Sequence, residues 1–254
     1  MYISVKNRSD MKTKLLITLF LVSLNSLAQT AINKSVPVSP GQKIAMHFDY
    51  PEIVRVSTWD KNEISIQGSV LINGGESDEA FVLESSTAGN LITVESKING
   101  LKSLPQRVTV MQGGKKIVFK TKAEYRKYCD EHGKDFSFMS TGVDMDITLE
   151  IKVPQNVETR VESVYGMVEV KLFNGPLTVD ATYGGVDAAL AEKSMGELTA
   201  ETNYGQIYSN LDVKFNYENF REEDFHTFVS AKPGNGPRFS FESKYGNVYL
   251  RKLY

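Results

Sequence analysis

The sequence predicts an all-β fold: a right-handed parallel β-helix or β-solenoid-like stack of short strands, with one short helical insert. An antiparallel β-sandwich is the alternative. Three observations carry the prediction. Four segments align without gaps, RVESVYGMVEV (160–170), TVDATYGGVDA (178–188), TAETNYGQIYS (199–209) and SFESKYGNVYL (240–250). Residues alternate between small or apolar and polar on both sides of each Tyr-Gly pair. Gly (19) outnumbers Pro (8) and aromatics reach 10%, a composition suited to β-structure with tight corners rather than to a collagenous or disordered chain.

The N-terminal residues read as an export signal. From Met11, a possible true start, Lys12 and Lys14 precede the apolar run Leu15 to Val22 and the small-residue site Ser26-Leu27-Ala28. The run is short for a membrane span. Residues 1–28 are therefore assigned as a signal peptide, without a Cys for lipid attachment, and the protein is expected in the periplasm, at the cell surface or outside the cell. That segment carries Lys6, Arg8, Lys12 and Lys14 against Asp10. Its loss takes the chain from −2 to −5. An acidic surface without basic clusters argues against nucleic acid as a partner. No later segment is apolar enough to cross a bilayer. With one Cys in 254 residues, neither a disulfide framework nor a Cys-rich metal site is available.

Residues 29–43 read as a polar, extended leader, and 44–120 as N-terminal β rungs. Short alternating runs such as Ile44-Met46-Phe48, Val54-Val56 and Ile64-Ile66 are punctuated by Asn73-Gly74-Gly75 and Asn99-Gly100. At 121–133 the period changes. Thr121 and Glu124 form a capping box, Gly133 marks a helix end, and Tyr125, Tyr128, Cys129 and His132 share a helical face. A Cys beside a His invites a nucleophile or metal reading. With only two other His in the chain and no third group in pattern, the helix is read as packing on the β-structure.

Residues 134–254 form the Tyr-Gly repeat region. Tyr165, Tyr183, Tyr204 and Tyr245 are separated by 18, 21 and 41 positions, so the last interval holds an unmarked repeat or an insert. Apolar parity before each Tyr-Gly is opposite to parity after it. One residue must be absorbed at Gly166, Gly184, Gly205 and Gly246, assigned as structural corners, through positive φ or close backbone approach. The same parity groups each Tyr with the inward positions, which predicts a structural ladder facing the core. Facing outward, the same four Tyr would be a ligand-binding strip for an extended glycan or peptide. The insert 213–237, with Phe215, Tyr217, Phe220, Phe225 and Phe228 around Glu222-Glu223-Asp224, is expected to cap an open end of the core.

The run DITLEIKVPQNVETRVESVYGMVEV, with Val153-Pro154 and the repeated Gly residues, resembles an adhesin-like family of secreted bacterial proteins of unknown function. FDYPEIVRVSTWDKNEISIQG (48–68) resembles its N-terminal strands. The resemblance covers most of 44–254 and implies a β-helix-like fold, an extracytoplasmic location and no catalytic residues. Here a uniform Tyr before each Gly and the two inserts depart from it.

The function expected is an exported, non-catalytic surface or scaffold protein, with a cell-surface glycan or envelope protein as partner. No cofactor or metal is called for. The alternatives are a polysaccharide-active β-helix enzyme and a periplasmic accessory or sensor protein. For the enzyme, Asp144 and Asp146 would stand about 6.6 Å apart on one strand face.

Overall fold

The computed structural model describes residues 29–216, 221–223 and 225–253. The signal-peptide assignment, Tyr217, Phe220 and Asp224 lie outside the described residues. Strands dominate, with one α-helix among the described residues.

Two large sheets share a single apolar cluster. Across the first run β1 (Thr30–Pro37), β4 (Glu63–Ile72), β10 (Met145–Pro154), β3 (Ile53–Trp59), β12 (Met167–Lys171), β14 (Val186–Leu190), β20 (Val248–Lys252) and β16 (Ile207–Ser209). Across the second run β17 (Arg221–Glu223), β18 (His226–Ala231), β15 (Glu197–Thr202), β19 (Arg238–Ser243), β13 (Leu177–Ala181), β11 (Thr159–Ser163), β2 (Lys43–Phe48), β6 (Leu91–Ile98) and β5 (Phe81–Ala88). Both sheets are mixed and neither is closed. The layering is therefore sandwich-like and does not show a closed β-helix. It also departs from an antiparallel sandwich, because the inner strands pair in parallel, as β11 does with β2 and β13. Antiparallel pairing ends the second sheet on both sides, at β17–β18–β15 and at β6–β5, and the first sheet at β1–β4–β10, whereas β16 ends the first sheet's other side in parallel with β20.

Alternation explains the sheets. In β11 and β13 every second residue is buried, Val161 on Val179 in register, and Phe241 of β19 and Ala200 of β15 extend the row. Large Phe241 beside small Ala200 keeps the interior filled. The residues of the polar leader do not stay apart from the sheets: Thr30–Pro37 is β1, eight residues in antiparallel register with β4.

The long interval between the third and fourth Tyr-Gly pairs is an insert with a topological consequence. The fourth repeat, β19–β20, lies between the second, β13–β14, and the third, β15–β16. The chain thus lays down the third rung one place out, and its C-terminal residues fill the place between.

A third, smaller sheet of β8 (Lys115–Phe119), β7 (Arg107–Gln112) and β9 (Phe138–Gly142) carries α1, Lys122–His132, over its own cluster of Val108, Val110 and Phe119. Thr121 Oγ1 accepts from the Glu124 N–H at 3.1 Å and Gly133 follows the last turn. Cys129 is buried, while His132 stacks on Tyr128 at 4.2 Å, so the two do not form a joint site.

Candidate functional site

In each repeat the second-sheet strand ends two residues before the Tyr. β11 ends at Ser163, β13 at Ala181, β15 at Thr202 and β19 at Ser243. These residues are buried. The next residue is half-buried or exposed, and the Tyr points out, with Tyr165, Tyr183, Tyr204 and Tyr245 exposed at 57%, 55%, 58% and 43%. The inward ladder expected from parity is thus corrected. Two-residue alternation holds only within a strand, and the turn begins before the Tyr rather than at the Gly.

The turn backbone is still paired rung to rung. Tyr183 N–H donates to Val164 O at 2.7 Å, Tyr245 N–H to Thr182 O at 2.9 Å, and Tyr204 N–H to Lys244 O at 3.0 Å. Parallel pairing stacks like on like, so the rings align. Tyr165–Tyr183, Tyr183–Tyr245 and Tyr245–Tyr204 have centroids 5.3, 5.1 and 5.1 Å apart with planes within 10°. Tyr50 extends the row below Tyr165 at 5.9 Å, and Phe225 above Tyr204 at 5.7 Å. Phe225 stands at φ 152°, a region non-glycine residues rarely occupy, and is 77% exposed. Among the described residues the ladder has six rings.

Centroids slightly farther apart than the strand spacing of about 4.8 Å describe offset stacking. The inner rings Tyr165, Tyr183, Tyr245 and Tyr204 spend both faces on their neighbours, and the end rings Tyr50 and Phe225 one face each. Along the four Tyr-Gly repeats solvent therefore meets a ridge of ring edges and phenol hydroxyls.

The glycines make the tight turn possible. A Cβ on Gly184, Gly246 or Gly205 would fall 2.0, 2.1 or 1.9 Å from the carbonyl oxygen of Gly166, Gly184 or Gly246 on the neighbouring rung. None of the four has positive φ, so close approach is their reason. Beneath them run buried hydroxyls. Ser243 Oγ accepts from the Gly246 N–H at 2.9 Å and donates to Gly184 O at 2.8 Å. Thr202 does the same with Gly205 and Gly246, at 3.0 and 2.9 Å.

Three residues before each Tyr is an acid, Glu162, Asp180, Glu201 or Glu242, on the outward face and in register. Like charges side by side on adjacent strands oppose pairing. Arg160 answers two of them, at 2.8 Å from Glu162 and 2.6 Å from Asp180. His226 Nε2 lies 2.7 Å from Glu201. Burial, the neighbouring charge of Glu201 and that of Asp180 raise the Glu242 pKa. In the Tyr50 rung the acid is replaced by His47, bonded to Glu162 at 3.1 Å and Asp49 at 3.0 Å. Burial pulls its pKa down, but those two bonds and charges prevail and raise it. This acidic row went unread in the sequence, although Asp or Glu at the third position before Tyr recurs in all four repeats. Tyr50 went unread because Pro51 stands where the motif has Gly.

The other sequence candidates do not converge. Asp144 precedes β10 and pairs with Lys116 at 2.6 Å, while Asp146 lies opposite Leu71. In the insert, Phe215 packs against the main core, whereas Phe225 and Phe228 face solvent wholly or in part, so capping is shared with β18 closing the edge of β15. Among the described residues no three His, Cys, Asp or Glu side chains are grouped to hold a metal. No helix among them is long and apolar enough to cross a membrane.

No family model matches the chain, and no curated protein matches it. Two solved structures are similar to it. One is a candidate cell adhesion protein from Clostridium sporogenes, 12% identical, with a TM-score of 0.45, covering 89% of this chain and 100% of that one. The other is a candidate adhesin from Bacteroides fragilis, 9% identical, with a TM-score of 0.23, covering 89% and 98%. Both are too distant to carry a role over to this chain.

Proposed function

We propose that this protein is a non-catalytic adhesion or scaffold module of the bacterial envelope, gripping an extended polymer along its Tyr ridge. The outward six-ring ladder is the observation that carries this reading. A strip that repeats once per rung offers the same contact many times along one line. That suits a long, repeating partner, whose weak contacts add, better than a small molecule. Exposed Tyr supplies contact area at low entropy cost because its ring has few rotamers, and stacking narrows them further. Export, the parallel rungs read as a short solenoid-like stack, and presentation at the periplasmic or outer face belong to the same proposal, supported by the signal-like N-terminal sequence.

The test compares wild type with Tyr183→Ala/Tyr245→Ala for retention on isolated bacterial envelopes, with thermal melting as the folding control. Loss of retention in a variant that still melts cooperatively supports the reading. Full retention in that variant contradicts it.

A further inference from the structure

Beside the ridge, the outward face of the second sheet is hollowed. A trough of about 1090 Å³ over β15, β18 and β19 adjoins one of about 580 Å³ over β11, β13 and β19, and Arg238 and Ser240 line both. The floor crosses the rungs through Thr178, Ser240, Thr199 and Ser230, each the register partner of the next. Thr199 Oγ1 lies 3.1 Å from Ser240 Oγ. The wall nearer the ridge is the acidic row Asp180, Glu242 and Glu201, ending at Phe228, the register partner of Glu201. The opposite wall carries Arg238, Lys232 and Lys214 with Glu197.

We propose that this trough binds a neutral polysaccharide laid across the strands, one stretch of chain per rung. Hydroxyls on the floor both donate and accept, and ionised carboxylates accept strongly from sugar hydroxyls. Phe228 provides an apolar patch for a sugar face. The charges in the walls are only partly answered from within. Arg160 is shared between Glu162 and Asp180, His226 Nε2 lies within hydrogen-bond distance of Glu201, and Arg238 stands 4.0 Å from Glu197. Among the described residues Glu242 on one wall and Lys214 and Lys232 on the other make no ion pair. A polyanion would meet the first wall and a polycation the second. A neutral chain meets neither penalty and uses the same groups as hydrogen-bond partners. The assignment rests on the extended-partner reading and names the chemistry of that partner.

The test titrates the intact protein with neutral hexasaccharides of glucose, mannose and xylose, with hexagalacturonate, and with hexaglucosamine, at low and high salt. Binding of a neutral hexasaccharide, insensitive to salt, is expected. The exposed-site variant Glu242→Gln and the floor variant Ser240→Ala should each weaken it several-fold, about tenfold together, as lost hydrogen bonds do. Binding confined to a charged oligomer, no neutral binding, or affinities unchanged in both variants would overturn the proposal. The two readings fail separately. If envelope retention depends on Tyr183 and Tyr245 while no neutral hexasaccharide binds, the glycan assignment falls alone. If a neutral hexasaccharide binds through Ser240 and Glu242 while the ridge variant keeps full retention, the ridge reading falls alone.

Discussion

The α-carbon of Gly184 seats against the carbonyl of Gly166 so closely that a methyl group would lie 2.0 Å from that oxygen. The contact is backbone on backbone, so nothing flexible can yield. Gly184→Ala should therefore cost about 1–3 kcal/mol or more, as overpacking does. Gly142→Ala, where no atom lies within 4 Å and φ is not positive, is the control and should be close to neutral. Urea unfolding of the two variants measures the difference; equal midpoints would show that the rungs are not packed this way.

Ser243 is fully buried and holds two rungs together through one hydroxyl. Ser243→Ala leaves the Gly246 N–H and the Gly184 carbonyl without that partner. The loss should be about 1–3 kcal/mol, the cost of stranding buried polar groups. Ala181 occupies the equivalent place in the second repeat without a hydroxyl, so a substitution there has no such bond to lose. Denaturant midpoints at unchanged slope measure the loss in Ser243→Ala against wild type, and a midpoint equal to wild type would show that the hydroxyl does not hold the two turns together.

Stacked phenols should contribute to stability. Tyr183 stacks on both Tyr165 and Tyr245, so Tyr183→Ala should cost about 1–3 kcal/mol, two pairs at about 0.5–1.5 each. Tyr183→Phe keeps the stack and should melt like wild type. If both variants melt alike, the rings do not support one another.

The outward charges make stability depend on pH in two windows of the same sign. The raised His47 pKa means the folded protein holds that proton more tightly than the unfolded chain. Its contribution is complete below the unfolded value of 6.5 and is lost as pH rises through the raised folded value. The raised carboxyl of Glu242 likewise favours folding while protonated, and this is lost as pH rises from the model-peptide value of 4.5 through its folded value. His47→Gln should flatten the stability curve above pH 6.5 and Glu242→Gln should flatten it above 4.5. Both sites are partly exposed, so the changes should be small. A steeper curve in either variant would reverse the assigned sign.

Much of this architecture was legible where local rules apply. The Tyr-Gly register predicted rungs that pair in parallel, and Thr121, Glu124 and Gly133 bounded the helix through capping chemistry. The order of rungs was not legible, because β19 settles between β13 and β15 through long-range pairing that no local pattern records. The facing of the Tyr residues was misread by carrying strand alternation past Ser163 and its equivalents, where the strand has already ended. The trough needed the three-dimensional neighbours: Thr178, Ser240 and Thr199 are far apart in sequence and adjacent only across strands.

On the proposed reading, a polymer partner covers the Tyr ridge. Hydroxyl-radical footprinting with and without purified envelope polysaccharide tests it most directly. Tyr165, Tyr183, Tyr204 and Tyr245 should be modified in the free protein and protected together in the complex. Tyr208, 47% exposed on the first sheet and stacked on Tyr249, should remain open. Protection of Tyr208 with the four ridge residues left open, or no protection at all, would contradict the account.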